Sequence, residues 1–154
     1  MSIHRVRIAR DKADFVRSLV NFNEGEGPFQ TYADVMAFAA AFGAKYNERV
    51  PIEFVAKEPT PINVEIFISR GYDTLIKLLA VNATDDPKIL SPFSADAEAR
   101  RVEIFEEYAN GGLEKLDREL RGAVDYTERL LLVLSQERFQ EIKPTGEFDL
   151  GRFL

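Results

Sequence analysis

Ten consecutive residues, Val35 to Ala44 (VMAFAAAFGA), carry no charge and no strongly hydrogen-bonding side chain. A run of this length is too short to cross a bilayer and belongs in a folded core as a buried helix. Thr31 is placed to accept from the first-turn backbone, and Asp34 stands at the capping-box position. Val35, Phe38 and Phe42 follow an i, i+3, i+7 spacing that Tyr46 extends, while Ala37, Ala40, Ala41 and Ala44 keep the remaining surface small. A helix apolar on every side is buried on every side. The expected fold is therefore mainly α. It is a single compact helical domain, 1–154, around a central helix at about 31–46, with room for a short N-terminal strand.

At 154 residues the chain is long enough to bury a substantial core. No stretch approaches the roughly 18 apolar residues of a membrane span. The N-terminal MSIHRVRIARDK lacks the apolar centre of a signal peptide. Cysteine is absent, which excludes disulfides, thiolate catalysis and Cys-based zinc or iron–sulfur sites. A cytoplasmic protein without membrane contact is expected.

The net charge of −6 argues against broad electrostatic attraction to nucleic acid. Its distribution is uneven. Residues 1–20 carry Arg5, Arg7, Arg10, Lys12 and Arg17 against Asp11 and Asp14, a local balance of +3 that leaves −9 for the rest. A basic arm on an acidic body can still touch phosphates or an acidic partner, although solvated surface charge is the plainer reading.

Ile3 to Ala9 alternates, with His4, Val6 and Ile8 on one side and Arg5 and Arg7 on the other, the period of a short strand. Asp11 to about Phe22 reads as an amphipathic helix, and Asn21 to Gln30 as a loop. After the central helix, Ile62 to Arg70 is ambiguous between strand and helix, with helix favoured. Tyr72 to Asn82 is a helix, and Asp86-Pro87 opens a short helical turn. Ser94 caps a helix expected to end at Asn110-Gly111-Gly112. Leu113, Leu116 and Leu120 then mark a separate helix that Gly122 closes. Asp125 to about Gln140 reads as a second strongly buried helix because Leu130 to Leu134 is continuously apolar. Residues 144–154, with Phe148, Leu150, Phe153 and Leu154, form a tail that folds back or serves a partner. Folding back is expected, since exposed apolar patches are uncommon.

Chemistry is sparse. The single histidine, His4, cannot build a two-histidine metal site, and its terminal strand position suits a structural role. Neither a GxxxxGK[ST] phosphate loop nor GxGxxG occurs, and Gly25-Glu26-Gly27 is too acidic to cradle phosphate. Paired acids such as Glu24/Glu26, Asp85/Asp86 and Glu114/Asp117 are of the type that binds magnesium or transfers protons. Glu103, Glu106 and Glu107 share a helix with Arg100 and Arg101, which reads as a salt-bridged solvent face. No catalytic residue, metal ligand or cofactor is expected.

The N-terminal element is the strongest functional candidate. A strand with outward arginines, a helix, a loop and a second capped helix resembles a ribbon-helix-helix DNA-binding transcriptional regulator, in which paired strands enter the major groove. Arg5 and Arg7 would face the groove, and Arg10 and Lys12 would meet phosphates. The long loop and the acids Glu24 and Glu26 weigh against that module.

RVRIARDK (Arg5 to Lys12) followed by GPFQTYADVMAFAAAFGAKYNERVPI (Gly27 to Ile52) resembles a small accessory family encoded beside bacterial DNA phosphorothioation (Dnd) systems, the dnd system-associated proteins. A second block, from Ile66-Phe67 through GYDTLIKLLAV (Gly71 to Val81) to Asp86 and Ile89-Leu90, is similar too. The matched segments cover most of residues 5–90. The opening order of basic strand, helix and buried helix also resembles, in layout only, the small helical Dnd protein that binds DNA in the sulfur-modification complex. The resemblance implies a part in placing sulfur in the DNA backbone or in restricting DNA that lacks it, and it transfers no active-site residue. The expected function is a non-enzymatic accessory protein of that modification or restriction defence system. Its expected partners are the system's other proteins, with DNA reached through the basic arm and a homo-oligomer compatible with the sequence.

Overall fold

The N-terminal segment is held by chain that follows it by some fifty residues. A computed structural model describes residues 4–22 and 25–140. The tail at 144–154 lies outside them. The chain divides into two compact units, Met1–Arg118 and Glu119–Leu154.

In the first unit, strand β1 (Arg5–Val6) pairs antiparallel with β4 (Ile62–Asn63), in the register Arg5 to Asn63 and Val6 to Ile62. The pairing continues beyond these strands. Val64 donates its N–H to the His4 carbonyl (3.0 Å), Ala56 to that of Ile8 (2.8 Å), and Arg10 donates to Phe54 (2.9 Å). Val6 and Ile8 are fully buried and Arg5 is exposed, as strand alternation requires. The intervening residues 57–61, with Pro59 and Pro61, fall opposite Arg7.

A 3-10 turn at Arg10–Lys12 leads into α1 (Ala13–Val20), which buries Ala13, Val16 and Leu19. The segment expected to be a loop contains a minimal hairpin, β2 (Asn21–Phe22) with β3 (Gly25–Glu26). Then comes the expected core helix, α2 (Tyr32–Lys45), whose Thr31 cap accepts from the Asp34 N–H at 3.1 Å. Its aromatic face is a column of Phe29, Phe38, Phe42 and Tyr46 with successive ring centroids 5.3, 5.9 and 5.0 Å apart. Of the rest of α2, Ala33, Val35, Met36, Ala37, Ala39, Ala40 and Gly43 are buried, Tyr32, Asp34 and Ala44 half-buried, and Ala41 and Lys45 exposed.

Helix α3 (Val64–Ser69) starts where β4 stops, because Asn63 accepts from the Glu65 N–H at 3.0 Å. The ambiguous segment 62–70 is thus mostly helix, as favoured. Helix α4 (Asp73–Thr84) and a 3-10 turn (Pro87–Leu90) follow as expected.

Two glycines do not stop the next helix. α5 (Ala95–Leu120) is continuous through Gly111-Gly112, against the expected break there. Its Ser94 cap forms, accepting from Ala97 N–H at 3.2 Å. The glycines mark a crossing instead. A Cβ on Gly112 would lie 1.8 Å from the Ala39 carbonyl oxygen, and one on Gly43 would lie 2.2 Å from that of Tyr108. Glycine in a helix interior costs about 0.5–1 kcal/mol relative to alanine, yet here only glycine lets the α2 and α5 backbones touch. α2 therefore shares the centre with α5, whose Ile104, Phe105, Leu113 and Leu116 are almost wholly inaccessible. Phe105 meets Phe67 of α3 edge-on at 5.2 Å.

The second unit contains α6 (Tyr126–Gln140), started by Asp125, whose carboxylate accepts from the Thr127 N–H at 2.9 Å. The expectation of a strongly buried helix fails. Leu130 and Val133 are buried, but Leu131, Leu132 and Leu134 are 60%, 53% and 38% exposed. Five successive helical residues turn through more than a full circle, so packing along one stripe leaves the others open.

Candidate functional site: the basic N-terminal arm

The four basic residues singled out in the sequence occupy three environments. Arg5, at the start of β1, is exposed and makes no polar contact with the described residues. It borders a groove of about 660 Å³ walled by Tyr32, Pro59, Pro61, Ile66 and Arg70.

Arg7 is turned onto α5. Residues 57–61 offer its N–H no ladder partner, and that N–H donates to Glu106 Oε2 at 2.8 Å. Its guanidinium grips the same carboxylate through Nε (3.0 Å) and Nη2 (2.7 Å). Glu106 has only 3% of its side chain accessible. The hydrogen bond to Glu106 raises the Arg7 pKa above the ordinary guanidinium value, against the lowering effect of burial.

Arg10 is exposed, and its guanidinium carbon lies over Phe54, 4.8 Å from the ring centroid. Lys12 is buried. Its Nζ donates to Asn110 Oδ1 at 2.7 Å and to Glu114 Oε1 at 3.2 Å. Asn110 in turn donates to the Val50 carbonyl at 3.0 Å, so α5, the arm and the chain after α2 are joined through one amide. Arg10 and Lys12 flank a cavity of about 580 Å³ that Glu53, Phe54 and Glu114 also line. The structure therefore brings Arg10 and Lys12 together, leaves Arg5 in a separate groove, and commits Arg7 to a buried acid.

The acids of α5 were expected on a solvent face. Arg100 does pair with Glu103 at 3.1 Å near the surface. Glu106, Glu107 and Arg101 are instead buried, and Arg101 donates to the Ile89 and Ser91 carbonyls at 2.7 and 3.2 Å. The reason lies in their neighbours. At 100° per residue Val102, Ile104, Phe105, Tyr108 and Ala109 fall within an arc of about 160° that also holds Arg101, whereas Glu106 and Glu107 lie outside it, where Arg7 and Arg49 meet and pair them. No local sequence signal marks Glu106 and Glu107, because Arg7 and Arg49, which pair with them, stand 99 and 58 residues away.

A further cluster borders the Arg5 groove. Asp34 accepts from Arg70 Nε at 3.0 Å and Nη2 at 2.7 Å, and from the Tyr72 hydroxyl at 2.6 Å. Burial pushes the Asp34 carboxyl upward. Hydrogen bonds from Arg70, Tyr72 and Thr31, with the Arg70 charge, overcome that and hold it below its ordinary value. Tyr72 is raised, first by its hydrogen bond to Asp34 and then by burial.

Among the described residues no group of three or more His, Asp or Glu is arranged to hold a metal ion, and no helix is long and apolar enough to cross a membrane. Neither a curated protein nor a solved structure matches the chain. A family model does, over residues 5–153, extending the likeness well past the segments before residue 92 that carried it in the sequence. The chain belongs to the family described as DNA sulphur modification system-associated protein 4.

Proposed function

We propose that this protein is a non-enzymatic, cytoplasmic accessory component of a bacterial system that places sulfur in the DNA backbone or restricts DNA lacking that mark, working through contacts with the system's other proteins. Family membership over nearly the whole chain supports this reading. Surface chemistry adds to it. In the first unit Phe93, Leu78 and Phe54 are 97%, 62% and 61% exposed, and aromatic side chains are among the groups that protein interfaces enrich.

The test is deletion of the gene in a native host, scored two ways: phosphorothioate-linked dinucleotides by mass spectrometry, and survival of unmodified plasmid. Tagged protein is also recovered from the same host. The reading predicts a change in at least one score and co-recovery of sulfur-modification or restriction proteins. Unchanged scores with no such co-recovery would refute it.

DNA enters the reading through Arg5 and Arg10, exposed arm cations that, unlike Arg7, are not held by a carboxylate among the described residues. Replacing both with alanine should weaken retention on DNA at low salt and flatten its log–log salt dependence. No retention by the wild-type protein removes DNA from the proposal. A ribbon-helix-helix regulator is the weaker alternative. In that module the strand pairs with its counterpart in a second chain, whereas β1 pairs with β4 and the Arg7 N–H is taken by Glu106.

A further inference from the structure

We infer that α6 is a self-association helix, packing antiparallel on α6 of a second copy of this chain. Leu131 and Leu132 are 60% and 53% exposed, which places contiguous apolar surface on one side of α6 within the second unit. At about 100° per residue, Glu128, Leu131, Leu132, Ser135 and Arg138 fall on one face. All five are exposed. Neither the Glu128 carboxylate nor the Arg138 guanidinium has a partner among the described residues.

The occupant follows from the charge pattern. Glu128 lies five residues before Val133 and Arg138 five after it. A two-fold axis passing Val133 therefore sets Glu128 of each copy against Arg138 of the other, about 15 Å apart along the helix at 1.5 Å per residue. Leu131 and Leu132 fill the interval. This is the isologous arrangement in which one patch complements itself. A parallel pairing would place Glu128 on Glu128 and Arg138 on Arg138. The charges thus select orientation and register, and the leucines supply the buried area. The inference is independent of the part played in DNA sulfur modification.

The full chain is examined by sedimentation equilibrium from micromolar to about 100 µM. Wild type should approach twice the 17.5 kDa chain mass at the upper end and dissociate on dilution. Glu128→Arg and Arg138→Glu should each weaken association at least tenfold, because each sets like charges together at both ends of the contact. An equimolar mixture of these two variants should associate again, since every facing pair is then of opposite sign. The double variant in one chain should likewise recover. Leu131→Asp should be monomeric. Circular dichroism melting, unchanged in these surface variants, confirms that they fold. A wild type monomeric throughout, or a dimer indifferent to the charge reversals, overturns the proposal.

Discussion

Arg7 and Glu106 lie 99 residues apart in sequence and are joined by three hydrogen bonds, one from the arginine backbone and two from its guanidinium. A carboxylate with 3% of its side chain accessible is tolerated there because each oxygen meets a donor from this one residue. The contact fastens the N-terminal arm to the middle of α5. An arginine that strand phase assigns to the outer face is thereby a structural residue.

Removing the Arg7 guanidinium in Arg7→Met should cost about 2 kcal/mol. That is below the ~3–5 kcal/mol of a fully dry pair, because Arg7 is 46% exposed. Glu106→Ala should cost at least as much, and the double variant less than the sum of the two. Urea denaturation of the four proteins measures it, and strict additivity would deny the coupling.

Gly112→Ala should destabilise by about 3 kcal/mol or prevent folding. Helix propensity alone predicts a gain of about 1 kcal/mol. The added methyl would enter the Ala39 carbonyl, so the two predictions differ in sign. A melting temperature at or above wild type would mean that α2 and α5 do not cross here.

Asp34 gives an acid-dependent contribution. Its carboxyl titrates lower in the folded chain than in the unfolded one, so the stabilisation is complete above the unfolded value near 4 and disappears as pH falls through the folded value. Asp34→Asn should therefore be less stable than wild type at pH 7, with the gap closing below about pH 4. Tyr72→Phe, which removes one donor to that carboxylate, should cost about 1 kcal/mol at neutral pH. A gap independent of pH would rule out the charged hydrogen bonds as its source.

Lys12→Met keeps the buried stem and removes the ammonium. Asn110 Oδ1 then loses its donor inside the fold, at a cost of about 1–3 kcal/mol. Thermal melts at neutral pH decide it, and a neutral outcome would show that Lys12 is solvated.

Local chemistry fixed a large part of this molecule in advance. Thr31, Asp86, Ser94 and Asp125 each start a helical segment by accepting from a nearby N–H. Such bonds span two or three residues, so the sequence displays both partners together. The buried α2 was equally plain, because an uncharged run has only one stable place. The pairing of Asn21–Phe22 with Gly25–Glu26 leaves no mark in the sequence, two residues per strand being too few to carry a period.

The remainder was decided by contacts between distant residues. Gly111-Gly112 has the composition of a helix stop and becomes a crossing point only because α2 lies against it. Leu130 to Leu134 reads as buried, yet three of the five are open because neighbours cover only a stripe. The arm shows the same division: alternation set the side of the strand on which Arg5 and Arg7 stand, and Glu106, unseen until α5 was in place, separated the exposed one from the bound one. Sequence specifies which groups require a partner and which backbone each residue prefers. Only the tertiary structure assigns the partner, because that depends on which surfaces the packed helices bring within 3 Å.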